Sequence, residues 1–363
     1  MTSALILLLV VLLVVYTFEY INGFHDTANA IATVVSTKVL TPRQALLLAA
    51  STNLVGAFCG TAVAKTIGSG MVDTNFVSTL TIFCAMLGGI IWNLLTWWFG
   101  MPSSSTHALV GGLCGATIAS AGGKWDVLIW SKEKIDAKTG AVVGMDGLLH
   151  KVIIPMISSP IIGIIAGWLF MGFLFWLIRN WRPRTINSVF SKLQLASAGY
   201  MGFGHGLADA QKTMGVIALT LFTATEAGVF EHVPAWMSFL VTPTKDVVPW
   251  VKVSCALVMA AGTWAGGWRI IKTLGHKMVK MKPVHGFAAE TTAASILVAT
   301  GAMGMPVSTT HIITTSIMGV GAAKRWNSVR WSLVERIVWA WIMTIPATAL
   351  LGYVFYRIIS ALQ

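Results

Sequence analysis

Long apolar runs, interrupted at a few points by polar residues, are the main pattern of this chain. Apolar stretches at residues 45–67, 76–99, 152–178, 248–268 and 331–357 each reach the roughly 20 residues that a helix needs to cross a bilayer. Runs of this length are typical of transmembrane helices and not of the short alternating strands of a membrane barrel. We therefore expect an all-α polytopic membrane protein.

Two other apolar elements carry polar groups in their middle. The first, residues 4–40, is too long for one straight crossing and reads Gly-Phe-His-Asp-Thr-Ala-Asn-Ala at 23–30. The second, residues 198–222, reads Gly-Leu-Ala-Asp-Ala-Gln-Lys at 206–212. Because a glycine followed by polar groups inside a membrane suggests irregular backbone, we expect a broken helix in each element.

An unusual polar heptad occurs twice. Residues 101–107 read Met-Pro-Ser-Ser-Ser-Thr-His, and residues 305–311 read Met-Pro-Val-Ser-Thr-Thr-His. Each heptad follows an apolar run and precedes a segment rich in small residues, at 108–121 and 312–323. This order predicts two helical hairpins with the heptads at their tips. The second half of the chain thus repeats the first, element for element.

Positive charge predicts how the two halves are oriented. Placing the basic connections on the cytoplasmic side requires three net crossings per half, with each hairpin returning to the side it left. An odd number of crossings inverts the second half and puts both chain ends outside. We expect inverted-topology repeats at 1–178 and 197–363, joined by a basic cytoplasmic connection at 179–196, with the hairpin tips meeting near the midplane.

Composition agrees with a membrane protein and argues against a nucleic-acid partner. Hydrophobic residues make up 56% of the chain and charged residues only 10%, too little polar surface for a soluble globule. The net charge of +12 comes from the short basic connections, so we expect the lipid bilayer and no nucleic acid as a partner. The four cysteines lie in apolar stretches and predict no disulfide or metal framework.

The hairpin tips predict an anion site. Pro102 and Pro306 leave amide N–H groups unpaired near the start of the following helix, where the helix dipole also favours an anion. Helix capping or interhelical hydrogen bonding is the alternative role for the tip hydroxyls, although the duplication favours binding. For His107 and His311, binding and structural roles stay open. The candidate hydroxyls are Ser104, Ser105, Thr106, Ser308, Thr309 and Thr310.

The two polar motifs predict a cation site. Asp26 and Asp209 occupy equivalent positions and are the leading candidates for binding a coupling cation or proton, with Asn29 as a neutral ligand. Lys212 matches Asn29 in the second motif, so its ammonium is expected to pair with Asp209 or with the anion. Three further ionisable residues are considered: His25 as a proton acceptor, Glu290 as a cation ligand, and Glu19, expected near a membrane boundary.

At these residues the chain resembles the inorganic phosphate transporter (PiT) family over essentially its whole length. The first motif is similar to that of the bacterial low-affinity branch, whereas Ala208 of the second stands where asparagine is usual. The resemblance implies phosphate binding by the six tip hydroxyls, to which we add Gln211 and Lys212. Glu290 matches the family's functional glutamate, and Asn53 stands where some eukaryotic members have another.

Together these observations predict a symporter that imports inorganic phosphate across the bacterial inner membrane. We expect coupling to H⁺, with a neutral complex of phosphate and a divalent metal as a further form of the substrate, and Na⁺ coupling as the alternative. No cofactor and no enzymatic activity are expected, no resident metal site is assigned, and a homo-oligomer is left open. An anion channel and an intramembrane serine hydrolase, using Ser105 with His107 or His311, are the remote alternatives.

Overall fold

The computed structural model describes residues 3–135, 141–231 and 233–362. Within these ranges the chain is mostly helical, with one short two-stranded antiparallel sheet. The elements are α1 (Ser3–Ser36), α2 (Pro42–Ala57), α3 (Ala62–Ser69), α4 (Thr79–Trp98), α5 (Ser105–Ser120), β1 (Lys132–Ile135), β2 (Val142–Asp146), α6 (Ile154–Leu177), α7 (Pro183–Glu226), α8 (Pro249–Ala265), α9 (Trp268–Lys272), α10 (Pro283–Ala302), α11 (Thr309–Lys324) and α12 (Trp331–Ser360).

Several of these helices are long and apolar enough to cross a membrane. In the described chain, α1, α4, α12 and the helical segment Leu149–Leu177 that contains α6 meet this criterion individually. The pair α2 and α3 meets it together, bent by 72° at a short break. α6 and α12 carry many exposed large apolar side chains, which is the surface expected of helices that face lipid. The prediction of a mostly helical protein with several apolar helices is confirmed, although β1 and β2 add a small sheet to the expected all-α fold.

The predicted breaks in α1 and α7 are wrong, because both helices run without interruption through their polar motifs. The two glycines have a packing role instead. A Cβ atom on Gly23 would lie 2.5 Å from the carbonyl oxygen of Met259, and one on Gly206 would lie 2.1 Å from that of Asn53. Glycine therefore lets α8 and α2 cross closely over α1 and α7, and the polar side chains find partners on other elements.

The basic segment at 179–196 is only partly a connection, since α7 begins at Pro183 and runs for 44 residues. Proline suits this first helical position because its missing N–H would have no intrahelical partner there. Most of the segment is therefore helical and continuous with the second polar motif.

Both predicted hairpins are present, formed by α4 with α5 and by α10 with α11. Gly100 and Gly304, just after α4 and α10, both have φ of +65°, a left-handed conformation that favours glycine at a helix end. Ser104 and Ser308 then cap the next helix, because the hydroxyl of each accepts a hydrogen bond from the backbone N–H three residues later. The heptads thus form the turns of the hairpins.

Helices at corresponding positions in the two halves make corresponding contacts. The first hairpin packs through α5 against α12, and the second packs through α11 against α6. Likewise α1 packs against α8 and α7 packs against α2, while α1 and α7 also contact each other. The two halves are therefore interlocked, with the two motif-bearing helices in contact at the centre.

Candidate functional site

The two hairpin tips meet in the buried interior. The rings of His107 and His311 lie 4.8 Å apart, edge to face, and the hydroxyl of Thr106 donates to the carbonyl oxygen of Val307 at 3.3 Å. Trp341 of α12 stacks on His311 at 3.9 Å. The tips of both halves therefore form one continuous surface.

The six candidate hydroxyls at the tips have different surroundings. Ser104 and Ser308 are helix caps, each accepting from a backbone N–H at 3.2 Å, so the capping role applies to these two. Thr309 and Thr310 point at aspartates. The hydroxyl of Ser105 is buried and has no hydrogen-bond partner in the part of the chain that the structure describes. It is free to bind a ligand.

Asp26 of α1 is tied to the second hairpin. Its Oδ1 lies 2.7 Å from Nδ1 of His25, and the hydroxyl of Thr310 donates to the same oxygen at 3.4 Å. One turn later, the amide of Asn29 donates to Thr310 at 2.9 Å and to Thr309 at 3.2 Å. The first polar motif therefore holds the start of α11.

Asp209 of α7 contacts the same hairpin tip as Asp26, although α7 belongs to the second half of the chain. Its Oδ1 accepts from the ammonium of Lys212 at 2.5 Å, and its Oδ2 accepts from the hydroxyl of Thr309 at 3.2 Å. Nε2 of His205 lies 3.3 Å from Oδ2, a distance suited to an ion pair. The expected pairing of Lys212 with Asp209 is present. Adjacent threonines of one hairpin thus contact the aspartates of both motifs.

Asp26, His205 and Asp209 could together hold a metal ion. Each offers one ligand atom, these atoms all lie within 4.8 Å of one another, and all three residues are buried. Two carboxylates and an imidazole are ligands that divalent metals accept. The ammonium of Lys212 offsets one of the two carboxylate charges, so with neutral histidines one negative charge remains for a cation or proton to neutralise. We call Asp26, His205, Asp209 and Lys212 the acidic centre.

His25 extends the acidic centre towards α4. Its Nε2 lies 3.2 Å from the hydroxyl of Thr96 and 3.4 Å from that of Ser103, and these two hydroxyls lie 2.8 Å apart. This hydrogen-bonded path leads from the Asp26 carboxylate to the first hairpin tip. Such a path of imidazole and hydroxyls is able to carry a proton.

Two predicted site residues lie elsewhere. The amide of Gln211 accepts from the backbone N–H of Val63 at 2.9 Å and donates to the carbonyl of Leu207 at 2.8 Å, so its described bonds join α7 to the start of α3. Glu290 forms a separate buried cluster. It accepts from Thr33 at 2.5 Å, from Gln194 at 3.1 Å and from Ser197. None of these hydrogen bonds reaches the acidic centre.

Each hairpin turn is anchored by a threonine from the other half of the chain. The hydroxyl of Thr273 donates to the carbonyl of Gly100 at 2.8 Å, and the hydroxyl of Thr66 donates to that of Gly304 at 2.8 Å. A cationic side chain adds to each anchor, with Arg269 donating to Trp98 and Lys151 to Met303. Lys151 is the last residue of the loop at 122–151, so the end of this loop borders the second hairpin turn.

Sequence reasoning missed several residues that the structure brings to the site. His205 joins the acidic centre, and its Nδ1 lies 3.3 Å from Oδ1 of Asn53, whose amide donates to Thr263 at 3.0 Å. One signal was available for His205, because it precedes Gly206 as Asn22 precedes Gly23. Ser103 stands in the first heptad, but the second heptad has Val307 at its position, and Thr96 had no comparable signal.

Long helices around a buried centre, with duplicated polar motifs and two hairpin tips converging on it, define a polytopic membrane transport protein. The model of the phosphate transporter family matches residues 22–352. The chain therefore belongs to the phosphate transporter family, whose members are transporters and not enzymes.

Similar proteins support the family assignment over the full chain. The chain is 42% identical to a probable low-affinity inorganic phosphate transporter of Rhizobium meliloti, covering 98% of this chain and 97% of that protein. Probable transporters of the same description are 39% identical in Bacillus subtilis, over 99% of both chains, and 40% identical in Mycobacterium tuberculosis, over 99% of this chain and 79% of that one. A solved structure of a sodium-dependent phosphate transporter shares the fold, with a TM-score of 0.79 at 20% identity over 98% of this chain and 100% of that chain.

Proposed function

We propose that this protein imports inorganic phosphate across the bacterial inner membrane as a cation-coupled symporter. The observation that carries the proposal is the pair of hydrogen bonds by which Thr309 and Thr310 donate to Asp209 and Asp26. Two hydroxyls suited to binding phosphate therefore donate their hydrogen bonds to carboxylates. A cation bound to these carboxylates would weaken the two hydrogen bonds.

Coupling follows from the competition for these two hydroxyl protons. While the carboxylates are charged, each threonine donates to an aspartate, and the remaining negative charge of the acidic centre repels an anion. A cation or proton on the centre neutralises that charge and weakens both hydrogen bonds. Thr309 and Thr310 then turn their protons to phosphate, joined by the free hydroxyl of Ser105 and by the ammonium of Lys212.

H⁺ is the coupling ion that this site favours. Nδ1 of His25 lies 2.7 Å from Oδ1 of Asp26, and the other ring nitrogen lies beside the hydroxyls of Thr96 and Ser103. This chain of an imidazole and two hydroxyls suits proton transfer. His205 is a poor ligand for Na⁺ but a good one for a divalent metal, so a metal carried with phosphate fits the acidic centre. The sodium-dependent transporter that shares the fold keeps Na⁺ as the second candidate.

Alternating access is proposed to use the two hairpin turns. In the inverted arrangement of 1–178 and 197–363, both chain ends lie outside, and the tips meet near the midplane. The Thr273–Gly100 anchor then lies on the cytoplasmic side, among basic residues, and the Thr66–Gly304 anchor lies on the outer side. Releasing one anchor at a time would open the phosphate site to one side only.

Uptake of labelled phosphate into proteoliposomes under separate H⁺, Na⁺ and Mg²⁺ gradients tests the proposal. We expect concentrative uptake under an H⁺ gradient without Na⁺, enhanced by Mg²⁺. Uptake driven by Na⁺ alone would move the assignment to the second candidate. Simple equilibration under every gradient would indicate an anion channel and overturn symport.

A further inference from the structure

Glu19 of α1 is a buried carboxylate outside the acidic centre. Its exposed fraction is 0%, and α7 packs against α1. The hydroxyl of Thr213 on α7 donates to Oε2 of Glu19 at 2.5 Å, and the amide of Asn22 donates to the same oxygen at 3.5 Å. Glu19 therefore lies at the contact between the two central helices.

Two oxygens at this contact have no hydrogen-bond partner among the described residues. They are Oε1 of Glu19 and Oδ1 of Asn22, and both are acceptors that need a donor or a cation. Such atoms are costly inside a protein, and most of all on a carboxylate in a membrane. The pair of oxygens indicates a positively charged ligand.

The surrounding groups do not supply the missing charge. On α1, Tyr16 is hydrogen-bonded to Ser254, and on α8 the nearby ionisable group is the thiol of Cys255. On α7, the charged groups that act on Glu19 are Asp209 and Lys212, which are already paired with each other at 2.5 Å. The carboxylate of Glu19 therefore has no counter-ion of its own in the described chain.

We propose that Glu19, Asn22 and Thr213 form a second cation site, which takes up one monovalent cation, H⁺ or Na⁺, during transport. The ligands are carboxylate, amide and hydroxyl oxygens, the set that a small hard cation prefers. The inference rests on the proposed function, since it adds a cation to the phosphate symport described above.

The position of this second site links it to the acidic centre. Thr213 directly follows Lys212 on α7, and Asn22 lies four residues before Asp26 on α1, one turn away on the same face. A cation between Glu19 and Thr213 therefore stabilises the α1–α7 contact that holds both aspartates in place. Loss of that cation would loosen the acidic centre and release phosphate.

The number of cations moved with each phosphate tests the inference. In proteoliposomes without a membrane potential, each coupled cation multiplies the equilibrium accumulation of phosphate by its own gradient. With a tenfold gradient of each coupled cation, we expect the wild type to accumulate phosphate about hundredfold and Glu19→Gln to accumulate it about tenfold. Phosphate–phosphate exchange moves no net cation, so Glu19→Gln, which mimics the neutral occupied site, is expected to retain it. Separate H⁺ and Na⁺ gradients identify the occupant.

Two threonines of α7 provide matched variants. Thr213→Val removes one ligand, and we expect the half-saturating cation concentration to rise several-fold, with an unchanged phosphate KM once the cation is saturating. Thr220→Val is the control, because within the described ranges that buried hydroxyl donates only to Val216 of its own helix. Equal accumulation by the wild type and Glu19→Gln would overturn the second site while leaving phosphate symport intact. If Glu19→Gln also lost exchange, Thr213→Val would provide the test. An unchanged half-saturating cation concentration in Thr213→Val would then overturn the second site.

Discussion

The Asp209–Lys212 pair is the sharpest difference between the two motifs, and its energetic role is open to direct measurement. Both side chains are buried and their charges lie 2.5 Å apart, whereas Asp26 has the neutral Asn29 at the position that matches Lys212. Asp209→Asn leaves a buried ammonium without its partner, a change that costs about 3–5 kcal/mol in other buried pairs. Asp26→Asn instead converts a charge-assisted hydrogen bond from His25 to a neutral one, a loss of about 1–2 kcal/mol.

The assay is reversible unfolding in mixed micelles, applied to both single variants, to Lys212→Met and to the double variant Asp209→Asn with Lys212→Met. We expect Asp209→Asn to be the least stable and the double variant to recover part of the loss, because it removes the unpaired ammonium. A coupling energy of at least about 1 kcal/mol between the two positions is expected. Strictly additive effects, or equal losses for Asp26→Asn and Asp209→Asn, would refute the asymmetric assignment.

Three further predictions concern transport. Asp26→Asn is expected to retain exchange but to lose the cation coupled through the acidic centre, since the neutral side chain cannot bind and release a cation. Phosphate accumulation then falls to the part driven through Glu19, and accumulation equal to that of the wild type would contradict this. Thr309→Val should raise the phosphate KM about tenfold by removing a hydrogen bond to a charged ligand, whereas Thr315→Val, whose hydroxyl donates within its own helix, should not. In a Ser105→Cys background, Thr273→Val and Thr66→Val should increase labelling of the introduced thiol from opposite sides of the membrane. Labelling from the same side in both variants would exclude the two-gate arrangement.

Much of this site was predictable because it depends on motifs and residue spacings within short stretches of the sequence. The duplicated heptads predicted the hairpins and the meeting of their tips, and the i, i+3 spacing of Asp209 and Lys212 allowed their pairing on one helix face. The equivalence of the two motifs singled out Asp26 and Asp209, which the structure brings to a common cluster.

The remaining features depend on contacts between distant segments. Gly23 suggested a break, but its role is set by the distance to the carbonyl of Met259 on α8, which no local pattern reveals. The position of Thr213 beside Glu19 likewise depends on how α7 packs against α1, which no local pattern reveals. Gln211 lies between Asp209 and Lys212 in the second polar motif, yet it bonds to the start of α3 instead of the acidic centre.

The most direct test of the account is the linkage between cation and phosphate binding to the purified protein. Equilibrium binding of labelled phosphate is measured at a series of cation concentrations, with the protonation of phosphate itself taken into account. We predict that phosphate affinity rises with cation concentration, that phosphate raises cation affinity by the same factor, and that both dependences are weaker in Asp26→Asn than in the wild type. Phosphate affinity that does not change with the concentration of any cation would contradict the proposed coupling through Thr309 and Thr310.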